Sequence, residues 1–146
     1  MALELDFVIA IHDEIIAEFG GLPGFAAGGR GGVESALQRI QNRALYEGLD
    51  DVFAIGAMYG VAIARGHVFN DANKRTGLAC ALVYLEEQGV MLPKTAELEQ
   101  VMVDVANGEL EQEWLADYLS TLWQMISAEM YSDEDDEDPG EPAHAA

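Results

Sequence analysis

Five residues able to do chemistry together lie within nine positions: His67, Asp71, Asn73, Lys74 and Arg75, in the run His67-Val68-Phe69-Asn70-Asp71-Ala72-Asn73-Lys74-Arg75-Thr76. A helix opening here, capped by Asn70 or Asp71, leaves the amides of Ala72, Asn73, Lys74 and Arg75 unpaired and directed outward. That is an anion site, strengthened by the helix dipole. Lys74 and Arg75 occupy the first turn, where the dipole disfavours a cation by about a few tenths of a kcal/mol. A bound polyphosphate reverses that sign, and Ala72 is small enough for a phosphate to approach the backbone. Asp71 would repel such a ligand unless a divalent cation lay between them. Mg²⁺ binds in this way, through one or two carboxylates and phosphate oxygens. His67, as a neutral imidazole at the other end of the loop, can take a proton from a hydroxyl nucleophile. Phe69 is expected to turn inward and fix the loop on the core. The parts describe a nucleotide-phosphate transfer in which positioning and electrostatics dominate. The blander alternative is a helix cap beside a solvated basic patch.

The charge distribution sharpens the contrast. The 146 residues carry 27 acids, seven bases and a net charge of −20, yet Arg65, Lys74 and Arg75 fall within eleven positions. Seven acids lie beyond Met130 (Asp133, Glu134, Asp135, Asp136, Glu137, Asp138 and Glu141), leaving 20 against seven bases, a net of −13, for the rest. Such a body repels nucleic acid and anionic membrane, which excludes a general nucleic-acid binder. A high-salt cytoplasm and an ordinary acidic protein explain the charge equally well. The single Cys80 cannot form an internal disulfide and reads as a buried thiol in a reducing compartment. Acids near the N-terminus argue against an export signal. The longest apolar run, residues 52–64, is too short to span a bilayer. The expected setting is the cytoplasm.

The elements that must position these residues read as helices. Residues 3–19 are amphipathic, with His12 on the apolar face, expected as a half-buried histidine bonded to a neighbour. Residues 20–32 contain seven glycines and read as a mobile connector without the spacing of a nucleotide-binding glycine loop. Further helices are expected over 33–43, 51–65 (capped by Asp50 or Asp51, and central because apolar nearly all round), 72–88, 96–106 and 110–130. Gly89 and Asn107-Gly108 are the stop signals. No segment alternates strongly enough to be a strand. The expectation is an all-α bundle of about six helices in one domain, 1–130, followed by a disordered acidic tail, 131–146.

His67 to Thr76 resembles the signature loop of the Fic/Doc superfamily, and is closer to its Doc (death-on-curing) branch than to the Fic AMP-transferases. Residues 11–24 (IHDEIIAEFGGLPG) and 34–41 (ESALQRIQ) extend the resemblance, which covers about residues 5–125. It implies a signature loop between two central helices, with His67 as general base and Asp71 as Mg²⁺ ligand. Asn73, Lys74 and Arg75 fall where the family holds nucleotide phosphates, together with the amides from Ala72 onward. Fic enzymes have glycine where Ala72 and Lys74 stand and a second arginine at Leu78. In the Doc branch these changes accompany a reversed ATP whose γ-phosphate faces the histidine. The implied activity is a kinase that phosphorylates an elongation factor Tu-like protein and blocks translation. AMP transfer and a catalytically silent partner-binding module are the alternatives. The target-holding flap would fall near 42–49, with Arg43 and Tyr46 as candidate contacts. Thr95 to Gln100 departs from the family's self-inhibitory pattern, so a Phd-like antitoxin is expected in trans, its helix in an apolar groove bordered by helix 3–19.

Overall fold

The computed structural model describes residues 2–137, and the side chains of residues 2–130. Six helices account for the described chain: α1 (Leu5–Phe19), α2 (Gly29–Tyr46), α3 (Val52–Gly66), α4 (Asn73–Glu87), α5 (Ala96–Ala106) and α6 (Gln112–Glu137). Among the described residues there is no strand, only an isolated antiparallel bridge between Phe25 and Phe69. The all-α expectation holds, and among the described residues no helix is long and apolar enough to cross a membrane.

α3 and α4 form the centre, and glycine makes their contact close. A β-carbon added at Gly77 would lie 2.8 Å from the Gly60 carbonyl oxygen and 3.1 Å from the Ala64 nitrogen. Around this crossing Tyr59, Ile63, Leu85, Met102 and Leu115 are buried. Tyr59 keeps its polar end satisfied by accepting the Leu3 amide hydrogen at 3.0 Å. Cys80 is buried in the same core, which pushes its thiol up to about 12. It is therefore a neutral, inert thiol.

Two helix boundaries depart from expectation. α2 opens at Gly29 and runs to Tyr46, against the expected 33–43. Gly29, Gly31 and Gly32 read locally as loop, but burial of Val33, Ala36, Leu37 and Ile40 against the core carries the helix through them. The segment holding Arg43 and Tyr46 is thus the last turn of α2, with Tyr46 fully exposed. α6 continues past the expected end at Met130 to Glu137, so residues 131–137 are helical. No Gly or Pro interrupts the chain before Pro139. Residues 138–146, the rest of the expected tail, lie outside the described residues.

The other caps follow local chemistry. Asp51 accepts the Phe53 amide at 2.9 Å and caps α3; Thr95 accepts the Leu98 amide at 3.1 Å and caps α5.

Candidate active site

The loop between α3 and α4 is bracketed by two left-handed residues. His67 (φ 49) ends α3 and Ala72 (φ 64) precedes α4; among the described residues these are the only non-glycines with positive φ. Each conformation costs an L-residue on the order of 1 kcal/mol or more, and such strain persists only where surrounding contacts impose it.

Those contacts come from the glycine-rich segment after α1. Ala26 donates its amide to the Val68 carbonyl and Asn70 donates its amide to the Gly24 carbonyl, each at 3.0 Å. The Asn70 side chain donates to the Pro23 carbonyl at 3.0 Å, and the Leu22 amide donates to Asp71 Oδ2 at 3.0 Å. Gly21 (φ +120) passes so close that a β-carbon there would lie 3.1 Å from Asp71 Oδ2. This segment is a strap fastened along the loop. Its glycines, which read as a mobile connector, permit the close approach.

From the core side the loop rests on α1. Phe69 is buried, as expected, between the His12 ring (centroids 3.8 Å apart, planes 6° from parallel) and the Phe25 ring. His12 is fully buried rather than half-buried, and its Nε2 lies 2.9 Å from the Asp71 carbonyl oxygen. A carbonyl only accepts, so Nε2 carries the hydrogen. His12 therefore holds the loop backbone.

Asn70 and Asp71 were the expected caps of α4. Both side chains are instead drawn to the strap, and Ala72 occupies the N-cap position without a side-chain cap. Asn73 closes the loop internally: its Oδ1 accepts the Phe69 amide at 3.1 Å and its Nδ2 donates to the Phe69 carbonyl at 3.0 Å. The Asn73 side chain is thus committed to loop shape, and its backbone amide remains to face an anion. With no side-chain cap, the amides of Asn73, Lys74 and Arg75 have no helical carbonyl to bond.

One cavity of about 510 Å³ is lined by all six residues singled out from the sequence: His67, Asp71, Ala72, Asn73, Lys74 and Arg75. Gly20, just after α1, Ala64 of α3, Asn70 of the loop, and Ala106 and Asn107, at the end of α5, complete its wall. In the sequence Asn107 signals only a helix stop. Arg75 is held with its guanidinium carbon 4.2 Å from the Phe19 ring centre. Arg65 belongs elsewhere. It donates Nε to the Val105 carbonyl at 2.6 Å and a terminal nitrogen to the Leu110 carbonyl, fixing the turn that carries Asn107.

Asp71 is the candidate metal ligand. The Leu22 amide, then the Ala72 amide, hold its carboxyl below the ordinary value of 3.8, with Lys74 adding to the effect. It is ionised at neutral pH, exposed, and each oxygen retains lone-pair capacity beyond the one amide it accepts. No cluster of three or more metal-ligating side chains exists among the described residues. That donor set fits Mg²⁺ completed by phosphate oxygens and water, and would not hold a metal in an all-protein cage.

A second cavity, of about 340 Å³, adjoins the first and shares Lys74 and Arg75 with it. Leu78, 3 % exposed, lines this second cavity.

The Fic/DOC family model matches residues 2–85. Over 116 residues, 80% of this chain and 90% of the relative, the sequence is 45% identical to "Protein kinase doc" of Escherichia phage P1. The family match takes in α1, the strap, α3, the whole loop from His67 to Ala72, and α4 as far as Leu85. The chain belongs to the Fic/DOC family.

Proposed function

We propose that this protein is a Doc-type kinase, the toxin of a toxin–antitoxin pair, that transfers the γ-phosphate of ATP to a hydroxyl side chain of an elongation factor Tu-like protein. The observation that carries the reading is the meeting of His67, Asp71 and the uncapped first turn of α4 on one cavity. The relative that bears the name of a protein kinase supports the same chemistry.

In this reading the amides of Asn73, Lys74 and Arg75 and the two cationic side chains grip the phosphates. His67 takes the proton of the acceptor hydroxyl, whose oxygen attacks the γ-phosphorus. The bond from that phosphorus to its bridging oxygen breaks and ADP leaves. Asp71 would hold Mg²⁺, which neutralises phosphate charge when bound. The strap and His12 keep Asp71 in place, and Asn73 holds the loop between base and cradle. Leu78 weighs against AMP transfer, because it puts a buried apolar side chain where Fic enzymes carry a second phosphate-binding arginine.

A Phd-like antitoxin is the inhibitor this reading requires. α1 borders the site through Phe19 and exposes Phe7 and Phe19, apolar contacts for an antitoxin helix. The setting is the cytoplasm, where translation factors are found. Nucleic acid and membrane remain excluded as direct partners by the acidity of the body.

Expression of the chain and of His67→Ala in growing cells tests the reading. The parent arrests growth and His67→Ala does not, with both accumulating equally. Equal arrest by the two would point to a silent module that only sequesters a partner.

A further inference from the structure

Of the three cations in and beside the signature loop, Arg65 alone stays out of the first cavity. Its guanidinium instead spans the α5–α6 turn, donating to the Val105 carbonyl on one side of Asn107 and to the Leu110 carbonyl on the other. Glu111 lies 3.9 Å from a terminal nitrogen. A planar guanidinium fork can hold two carbonyls at a fixed separation, and the single ammonium of a lysine cannot. Between those two carbonyls the backbone closes on itself. The Asn107 amide donates to the Val103 carbonyl and the Gly108 amide to the Val105 carbonyl, each at 3.0 Å, and the Glu109 amide to the Asp104 carbonyl at 2.9 Å. Arg65 stands in the last turn of α3, whose C-cap is His67. The place of Asn107 is therefore tied to the same helix end that delivers the base.

Asn107 differs from the other carboxamides on the cavity. Asn73 spends both ends of its side chain on Phe69, and Asn70 donates to the Pro23 carbonyl. The Asn107 side chain is exposed on the cavity wall and has no hydrogen-bond partner among the described residues. A carboxamide offers a donor pair and an acceptor side by side. Phosphate oxygens accept only, so the carbonyl half of Asn107 has nothing to give them. A peptide group, with one N–H and one C=O, matches both halves.

We propose that Asn107 is an acceptor contact: it hydrogen-bonds a peptide group of the protein segment whose hydroxyl meets His67, and Arg65 is the residue that positions it. The assignment rests on the kinase reading above and divides the cavity between its two substrates. The cations and first-turn amides of α4 serve the phosphates, and the α5–α6 turn serves the polypeptide. Arg65, a cation that touches no phosphate, acts through the turn it clamps.

The test measures kcat and KM for phosphorylation of purified elongation factor Tu by the full chain, and ATP affinity with Mg²⁺ by calorimetry. The variants are Asn107→Ala, Arg65→Lys and the two combined, each checked for folding by circular dichroism. Asn107→Ala is expected to raise KM for the factor about fivefold or more, from loss of two neutral hydrogen bonds, with the loss falling mainly on KM rather than kcat. ATP affinity is expected to change by less than about twofold. Arg65→Lys should raise KM for the factor in the same way, and the double variant should be no worse than Asn107→Ala alone, because both act on one contact. Additive losses would overturn the positioning role of Arg65. An unchanged KM for the factor in Asn107→Ala, or an equal loss of ATP affinity, would overturn the acceptor contact while the parent still labels the factor. A parent that transfers no γ-phosphate to the factor would overturn the kinase reading, and this assignment with it.

Discussion

His12 and Asp71, 59 residues apart, are joined by a 2.9 Å hydrogen bond from the buried imidazole Nε2–H to the Asp71 main-chain carbonyl. The strap holds the same residue from the other side, through the Leu22 amide on Oδ2. Asp71 is thus fixed by backbone and by side chain independently, on a surface that would otherwise leave a loop aspartate free to rotate. Pre-organisation of this kind removes an ordering cost when metal and phosphate bind.

Substituting His12 tests the backbone half of that fixation. His12→Leu keeps bulk against Phe69 but leaves the Asp71 carbonyl without its donor. A loss of about 1–3 kcal/mol in unfolding free energy is expected, read by urea denaturation. A misplaced loop should also lower kcat/KM by about tenfold or more. His12→Gln, which keeps a donor, should recover part of both. A His12→Leu enzyme of normal kcat/KM would show that the bond serves stability alone.

Asn73 is predicted to act through Phe69. Asn73→Ala removes both bonds of the side chain and should cost about 1–2 kcal/mol. Asn73→Asp keeps the acceptor for the Phe69 amide while losing the donor. Hydrogen exchange at that amide distinguishes them: protection falls in Asn73→Ala and survives in Asn73→Asp. Nucleotide affinity should nevertheless fall further in Asn73→Asp, which places a negative charge among the first-turn amides.

The pH dependence of the strap follows from Asp71. Its folded value lies below the ordinary 3.8, so the unfolded chain binds the proton more readily. The stabilisation is therefore fully present above about pH 4 and is lost as pH falls through the lower folded value. Titration of the Leu22 amide by NMR should show this transition below pH 3.8. In Asp71→Asn the Leu22 transition should vanish, and with it this part of the acid-induced loss of stability.

Gly77→Ala probes the central crossing. The added methyl would stand 2.8 Å from the Gly60 carbonyl oxygen, which is backbone and has no rotamer by which to yield. α3 and α4 must separate, costing about 1–3 kcal/mol despite the better helix propensity of alanine. Thermal melting measures it. A rise in melting temperature would show that the two helices are less tightly engaged than their glycines indicate.

What was legible in the sequence was what local chemistry decides. α5 was expected over 96–106 and is found there, because Thr95 caps one end and Asn107-Gly108 stops the other. The run from His67 to Arg75 declared an anion-binding turn, and its residues line one cavity. The reasons for that geometry were not legible. Asn70 and Asp71 carry ordinary cap chemistry, and only the strap, nearly fifty residues earlier, explains why neither caps α4. The glycines of residues 20–32 signalled freedom, whereas in the fold they permit contact and open α2. Arg65 drew attention as a third cation beside the loop, but its partners are carbonyls at the α5–α6 turn, 40 and 45 residues away. His12 offered one usable signal: a histidine on an apolar helix face needs a buried partner.

Transfer of label from ATP to purified elongation factor Tu tests the central claim most directly. Two parallel reactions carry the label at the γ- or at the α-phosphate, each with the chain and with His67→Ala. The account predicts label on the factor from γ-labelled ATP alone, abolished in His67→Ala. Label from α-labelled ATP alone would contradict it and make the protein an AMP-transferase.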